Sequence, residues 1–204
     1  MKDDCALIVF AKAPISGFAK TRLAGALGDE GAARLAARML DETLKQATAS
    51  GAGSVELCCT PDGTHPAFMR AHKRYGIALT QQGEGDLGER IQRALERALK
   101  THRRALLMGT DAPQLDANHL RLAAASLQSH AAVFTPVADG GYVLLGFADR
   151  VPPLFDGIAW GGDQVMRQTR ERIADLEISW VEMPMLNDID DPDDLAHVPK
   201  EWLE

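Results

Sequence analysis

Three cations follow the first apolar run of this chain, at a spacing that suits a phosphate-binding loop. Residues 6–10 are apolar throughout, as in a buried strand. Pro14 and Gly17 then interrupt the strand, and backbone N–H groups can approach a polyanion closely at a glycine. Basic side chains would neutralise the phosphate charge. The sequence therefore predicts a phosphate-binding loop, although a surface loop with ordinary solvated cations has the same composition. The three cations are Lys12, Lys20 and Arg22.

A carboxylate that suits a metal ion follows a second apolar run. Asp111 comes directly after residues 105–110, so we expect it at the carboxyl end of a buried strand. Pro113 prevents that strand from continuing. Hard cations such as Mg2+ and Mn2+ prefer oxygen ligands, and a carboxylate here can hold one against a diphosphate. A turn or helix-capping aspartate is the alternative interpretation, and the local sequence does not decide between them.

A cluster of aspartates near the end of the chain offers further metal ligands. Asp190 or Asp191 before Pro192 suits the start of a short helix, where proline and acidic residues are favoured. We expect Asp188 or Asp190 to be the second metal ligand, and the other acids to cap the helix or face solvent. The glycine and distal glutamate of an EF-hand loop are absent from this segment.

A glycine-rich segment, residues 81–90, leads directly into a predicted helix. Glycine lets the backbone approach a flat ligand such as a nucleobase, and Gln82 offers an amide for hydrogen bonds. The pattern is weak by itself, because it is neither the G-x-G-x-x-G fingerprint nor a Walker A loop.

Two further segments have both a structural and a functional interpretation. Asp139 precedes two glycines and Tyr142, which is typical of a hairpin turn. The same carboxylate can also face the hydroxyl of an acceptor. Trp160, followed by two glycines, predicts either a mobile lid that stacks on a sugar or a tryptophan packed beside a turn.

The elements that must position these residues alternate between strand and helix. Such alternation predicts an α/β fold with a mostly parallel sheet and helices on both faces, in which ligands lie beyond the carboxyl ends of the strands. We expect one domain. The predicted strands are residues 6–11, 55–59, 77–80, 105–109, 132–136, 142–147 and 178–183. The predicted helices are residues 30–49 with Asp29 as N-cap, 65–74, 91–99, a helix from Asp116 to Gln128, and residues 163–174.

The composition excludes several classes of protein. The chain has 204 residues, with 22 Lys and Arg against 29 Asp and Glu, and the net charge of −7 disfavours nucleic acid or an anionic membrane as the main partner. The three cysteines form neither a disulfide framework nor a metal-binding pattern, and Cys58 and Cys59 are expected to be buried in a strand. The sequence shows no signal peptide and no apolar run long enough to span a membrane, so we expect a cytoplasmic protein.

Five ordered motifs together resemble the bacterial DUF2064-type family of candidate glycosyltransferases, which have the GT-A, nucleotide-diphospho-sugar transferase fold. The similarity covers nearly the whole chain. The segment 20–23 also resembles the corresponding loop of phospholactate guanylyltransferases and, more loosely, of molybdenum-cofactor nucleotidyltransferases. The motifs are Phe10–Pro14 with Gly17 and Lys20-Thr-Arg-Leu23, Gln82-Gly83 with Gly85–Arg90, Gly109–Pro113, Asp139–Tyr142, and Asp188-Ile-Asp190 with Pro192, Asp194 and Leu195.

The resemblance implies a GT-A fold that binds a nucleotide diphosphate through the first-strand loop and Mg2+ or Mn2+ through Asp111. It also implies that Asp188 and Asp190 complete the metal site and that the glycine-rich loop lies near the base. The chain departs from the family pattern at Gly109-Thr110 and at Trp160–Asp163. The candidate nucleotide contacts are Lys12, Pro14, Gly17, Lys20 and Arg22 in the first loop, and Gln82, Gly83, Asp86 and Gly88 in the second.

These residues support three hypotheses. The leading one is a metal-dependent glycosyltransferase that uses a nucleotide-diphosphate sugar and a small-molecule acceptor, with Asp139 as the general base on the acceptor hydroxyl. The second is a nucleotidyltransferase, in which the same cations bind an NTP. The third is a non-catalytic nucleotide-binding protein that has kept the fold.

Overall fold

The structure, a computed structural model, describes residues 3–203 and contains a seven-stranded sheet with the strand order β3-β2-β1-β4-β6-β5-β7. The strands are β1 (Asp3–Lys12), β2 (Ser54–Thr60), β3 (Ala78–Gln81), β4 (His102–Met108), β5 (Ala132–Pro136), β6 (Tyr142–Ala148) and β7 (Trp180–Glu182). The helices are α1 (Ala24–Ser50), α2 (Pro66–Tyr75), α3 (Leu87–Leu99), α4 (Ala117–Ser126) and α5 (Val165–Asp175), with short 3-10 helices at Thr21–Leu23, Pro192–His197 and Lys200–Trp202.

The strand directions bring the predicted site loops to one edge of the sheet. Strand β1 is parallel to β2 and β4, and β2 is parallel to β3. Strand β6 is antiparallel to both β4 and β5, while β7 is parallel to β5. Six strands therefore run in one direction and β6 runs in the other. The loops after β1, β4, β5 and β7 consequently lie at the same edge, and β6 begins there.

The sheet is covered on both faces because side chains alternate along each strand. In β1, Leu7 and Val9 pack with α1, α2 and α4 in one buried cluster, whereas Ile8 and Phe10 pack with α3 and α5 in another. Cys58 and Cys59 are fully buried in β2, as predicted. None of the described helices is both long and apolar enough to cross a membrane.

The predicted elements are confirmed, with corrections at several ends. Helix α1 begins at Ala24, but its backbone is not helical at Gly28, where φ is 70° and ψ is 163°. The long helical part therefore starts just after Gly28, close to the predicted start at residue 30, and the short helical stretch before Gly28 was not predicted. Strand β7 is shorter than predicted, with only three residues. Asp116 caps α4 as expected, since its carboxylate accepts a 2.7 Å hydrogen bond from the His119 backbone N–H. That helix ends at Ser126, slightly before the predicted end.

Candidate functional site

The backbone of the acidic segment, residues 187–194, is held against the ends of β4 and β5. Val137, just after β5, forms a parallel bridge with Leu186. The Ile189 N–H then donates a 2.9 Å hydrogen bond to the carbonyl oxygen of Asp111, which lies just after β4. These two contacts place the chain from 186 to 190 beside both strand ends. Residues far apart in sequence thus meet at the edge predicted for ligand binding.

Three aspartates converge at this edge. One carboxylate oxygen from each of Asp139, Asp188 and Asp190 lies within 4.8 Å of the others. Ile189 is fully buried in a cluster with Leu23, so the side chains on either side of it point away from that core. Asp188 and Asp190 therefore share a side of the segment. We call these three carboxylates the acidic cluster.

A tight turn fixes the position of Asp139. Its Oδ1 accepts a 2.8 Å hydrogen bond from the Gly141 N–H. Gly140 has a φ of 90°, and a Cβ atom there would lie 2.2 Å from the carbonyl oxygen of Asp163. Only glycine fits this position, because both the conformation and the space exclude a side chain.

The three carboxylates of the acidic cluster are close enough to repel one another. Burial, together with the charges of Asp139 and Asp190, raises the pKa of Asp188 to about 6. Like charges close together disfavour the ionised form, and a cation among them would reverse that effect. Three carboxylates with this spacing fit a hard divalent cation such as Mg2+ or Mn2+, which prefers oxygen ligands.

Lys20 lies between Asp190 and Asp111. Its Nζ forms an ion pair with Asp111, and it donates 2.7 Å hydrogen bonds to Asp190 Oδ1 and to the carbonyl oxygen of Ile189. The Lys20 side chain is only 10% exposed. Burial alone would lower its pKa, but the charges of Asp111 and Asp190 and their hydrogen bonds outweigh burial, and the pKa of Lys20 is raised. The ammonium is therefore held by two carboxylates that we predicted as metal ligands.

The other two cations of the first loop are much more open. Lys12 is exposed, and its Nζ donates a 2.8 Å hydrogen bond to the Phe18 carbonyl oxygen. The Arg22 guanidinium lies 3.8 Å from Asp191, and both side chains are largely exposed. Gly17 turns the loop with a φ of 77°, and Pro14 is partly buried near its start.

A cavity of about 360 Å3 joins these cations to the acidic cluster. Lys12 and Arg22 border it, and so do Asp111, Asp139 and Asp190. A neighbouring cavity of about 300 Å3 shares Lys12, Arg22, Asp111 and Asp190 and also includes Lys20. The wall of the first cavity contains several apolar and aromatic side chains, among them Phe10, Leu87, Ile91, Leu107, Tyr142, Leu145 and Trp160.

The glycine-rich loop contributes less to this cavity than its sequence suggests. Gln82 lines the cavity, but it is buried and its Nε2 donates to the carbonyl oxygen of Cys58 at 3.1 Å. Asp86 caps α3 in a reciprocal pair with Glu89, with hydrogen bonds of 2.9 and 2.8 Å. Gly83 lies against Arg93, where a Cβ atom would be 2.8 Å from Nη1. The structure gives these residues local roles, and their contact with a nucleotide stays a prediction.

Trp160 packs closely on the start of α3. A Cβ atom on Gly88 would lie 2.9 Å from the indole ring, so the glycine permits this approach. The Trp160 ring also meets Tyr142 edge to face, with ring centroids 6.4 Å apart. The Trp160 Nε1 and the Tyr142 hydroxyl are buried without a hydrogen-bond partner among residues 3–203. Trp160 is therefore packed into the wall of the cavity in this structure.

Two features of the site were not predicted from the sequence. One is the apolar wall, although the alternation along β1 places Phe10 on the same face as Ile8 and so opposite Leu7. The other is the binding of Lys20 to Asp111 and Asp190, for which the sequence gives no signal. A larger surface groove of about 630 Å3 lies between α1 and α2, and none of the predicted site residues lines it.

The chain has the fold of nucleotide-diphospho-sugar transferases. The crystal structure of a candidate nucleotide-diphospho-sugar transferase from Desulfovibrio desulfuricans G20 matches with a TM-score of 0.83 and 30% sequence identity, over 92% of this chain and 82% of that chain. The chain belongs to the DUF2064 family, described as an uncharacterized protein conserved in bacteria, whose model matches residues 43–162.

More distant structures share the fold alone. A nucleotidyl transferase from Methanothermobacter thermautotrophicus has a TM-score of 0.64 and 12% identity, over 98% of each chain. Glucosyl-3-phosphoglycerate synthase from Mycobacterium tuberculosis, solved with Mn2+, UDP and glucosyl-3-phosphoglycerate, has a TM-score of 0.58 and 9% identity, over 96% of this chain and 75% of that chain. The comparison with curated proteins gave no match.

Proposed function

We propose that this chain is a glycosyltransferase that uses a nucleotide-diphosphate sugar and a divalent cation to glycosylate a hydroxyl group of a small acceptor. One observation carries the proposal. The acidic cluster of Asp139, Asp188 and Asp190 adjoins a cavity that is also bordered by the cations Lys12 and Arg22. A diphosphate needs both kinds of group, since its charge is neutralised by basic side chains and by a metal held on carboxylates.

Lys12 and Arg22 are the residues that would contact the diphosphate. Both are exposed to the cavity and are only lightly engaged by neighbours, so little has to be broken before they bind an anion. The loop turns at Gly17, where φ is 77°. Gln82 is the candidate contact for the base, because it lines the same cavity beside β1 and β2.

Asp188 and Asp190 would hold the metal ion, and Asp139, the third carboxylate of the cluster, lies beside them without being assigned as a ligand. When bound, a divalent cation would stabilise the negative charge that develops on the leaving nucleotide. The chain itself prepares the position. The Ile189 side chain anchors the segment in the core, and the Ile189 N–H ties it to Asp111.

Asp139 also stays our candidate for the general base. Its Oδ1 is held by the Gly141 N–H, so Oδ2 is the oxygen that would take the proton from the acceptor hydroxyl. Tyr142 and Trp160 form the adjoining wall, which would exclude water from one side of the reacting groups.

The direct test is calorimetry with UDP-, GDP-, ADP- and CDP-linked sugars, with and without Mn2+. We expect one of these donors to bind, and its affinity to depend on the metal. Turnover should then release the nucleoside diphosphate of the donor without pyrophosphate. Pyrophosphate release from an NTP would instead identify a nucleotidyltransferase, and no binding of any nucleotide in either condition would refute both activities.

A further inference from the structure

Lys20 is unusual among the cations of the site because its charge is already neutralised. It is 10% exposed and contacts Asp111, Asp190 and the Ile189 carbonyl oxygen, whereas Lys12 is exposed and donates to a single carbonyl group. The difference is large for two lysines in one loop. Groups that follow β4 and β7 therefore fix the position of the Lys20 ammonium.

Asp190 belongs to two groups at once. Its Oδ1 accepts a hydrogen bond from Lys20, and one of its oxygens also lies within 4.8 Å of Asp139 and Asp188. A positive charge beside a carboxylate weakens the attraction of that carboxylate for a second cation. The ammonium and a divalent cation therefore compete for the same negative charge.

We propose that Lys20 competes with the divalent cation for Asp190, so that the cation binds weakly until an anionic ligand attracts the ammonium. The inference rests on the proposed function, because it concerns the metal and the diphosphate of that site. The two ligands would then bind in order. The diphosphate attracts the Lys20 ammonium into the cavity, and Asp190 becomes available to the metal. Binding of the two ligands becomes mutually favourable, as linkage requires.

The loop allows the Lys20 side chain to change partners without a larger rearrangement. Leu23, three residues later, is fully buried and anchors the short helix Thr21–Leu23. On the other side, Phe18 is 65% exposed and Gly17 lies in open space. Lys20 itself borders the cavity that Lys12 and Arg22 also line, so the positions proposed for the diphosphate are within its own surroundings.

The test measures the binding of Mn2+ alone to the full chain, by calorimetry and by the EPR signal of free Mn2+. Lys20→Met removes the competing charge, and we expect it to bind Mn2+ about tenfold more tightly than the parent protein. Lys20→Arg keeps the charge and should stay closer to the parent. The matched control is Lys100→Met, which removes an exposed charge at the C-terminal end of α3, beside the opposite edge of the sheet.

Thermal melting provides a second readout that does not depend on activity. Without metal, Lys20→Met should melt at a lower temperature than the parent, because Asp111 and Asp190 lose their partner. Mn2+ should raise its melting temperature by more than it raises that of the parent.

The outcomes separate this inference from the proposed function. Tighter Mn2+ binding by Lys20→Met, but not by Lys100→Met, supports competition. Equal or weaker binding by Lys20→Met, in a parent that does bind Mn2+, overturns the competition and leaves the proposed function standing. If neither protein binds Mn2+ with or without UDP, the metal in the proposed function and the competition are both wrong.

Discussion

The glycine-rich loop, residues 81–90, and the acidic segment, residues 187–194, both have sequences that suggest ligand binding, but their polar side chains have different partners in the structure. In the loop, the polar groups are satisfied close by: Asp86 and Glu89 cap each other, and Arg93 donates to the carbonyl oxygens of Gln82 and Glu84. In the segment, Asp188 and Asp190 lie beside the Asp139 carboxylate from another part of the chain, and Asp190 also accepts a hydrogen bond from Lys20.

The polar residues of the glycine-rich loop complete the fold, whereas Asp188 and Asp190 remain available to a ligand. A polar group that is already hydrogen-bonded to its own neighbours gains little from a ligand, since it must first lose those bonds. A carboxylate crowded by other carboxylates gains from any cation that approaches. The same distinction divides the acidic segment itself. Asp191 and Asp194 form a capping box at the helix Pro192–His197, whereas Asp188 and Asp190 belong to the acidic cluster.

The largest effect should follow from Asp190→Asn. This change removes a charge from the acidic cluster and leaves the shape of the side chain almost unchanged. We expect metal-dependent turnover, measured as kcat/KM with the donor found by calorimetry, to fall about a hundredfold or more.

Asp193→Asn is the matched control for that prediction. It removes the same charge from an exposed residue of the neighbouring 3-10 helix, and it should keep kcat/KM within about twofold of the parent. If the two variants lost activity equally, the division of the acidic segment into binding and capping halves would be wrong.

Much of the fold was predictable because it depends on local patterns. Apolar runs gave the strands, alternation with helices gave a mostly parallel sheet, and Asp116 marked the start of α4. The antiparallel placement of β6 between β4 and β5 was not predicted, since strand order depends on contacts between distant residues. The start of the long part of α1 was predicted to within about two residues, since the backbone is not helical at Gly28, but the short helical stretch before Gly28 was not predicted.

The candidate site was predictable in its residue types but not in its pairing. The acids and cations were identified because they follow predicted strands, and parallel strands end at one edge. Which acid meets which cation depends on the Val137–Leu186 bridge and on the hydrogen bond from Ile189 to Asp111. Neither contact has a sequence pattern of its own. The pairing of Lys20 with Asp111 and Asp190 therefore required the structure.

A smaller effect concerns stability and pH. The pKa of Asp188 is raised to about 6, above the value of about 3.9 expected in the unfolded chain. Between those two values the folded protein keeps a proton that the unfolded chain has lost, so metal-free stability falls as the pH rises from about 4 to about 6. Asp188→Asn removes this ionisation. It should raise the free energy of unfolding at pH 8 by about 1 kcal/mol, an amount reduced by solvent screening of a half-buried group.

Urea unfolding in EDTA at pH 4, 6 and 8 measures this difference. The gain of Asp188→Asn over the parent should disappear near pH 4, where the folded parent is protonated at this position. Asp193→Asn, at an exposed position, is measured in parallel as the control for the loss of an acidic charge. A gain that is the same at all three pH values would mean that ionised Asp188 is not destabilised by the neighbouring carboxylates. The acidic segment would then differ less from the glycine-rich loop.

The smallest effect tests the other half of the comparison. Asp86→Ala removes the N-cap of α3 and should lower the free energy of unfolding by about 1 kcal/mol, while Asp86→Ser, which can still cap the helix, should lose much less. Because the Asp86 carboxylate is already used by the Glu89 N–H, we expect the nucleotide affinity of both variants to stay within about twofold of the parent. A tenfold loss of nucleotide affinity without a loss of stability would mean that the glycine-rich loop binds the nucleotide. Hydrogen bonds already formed within the protein would then not indicate which residues remain available to a ligand.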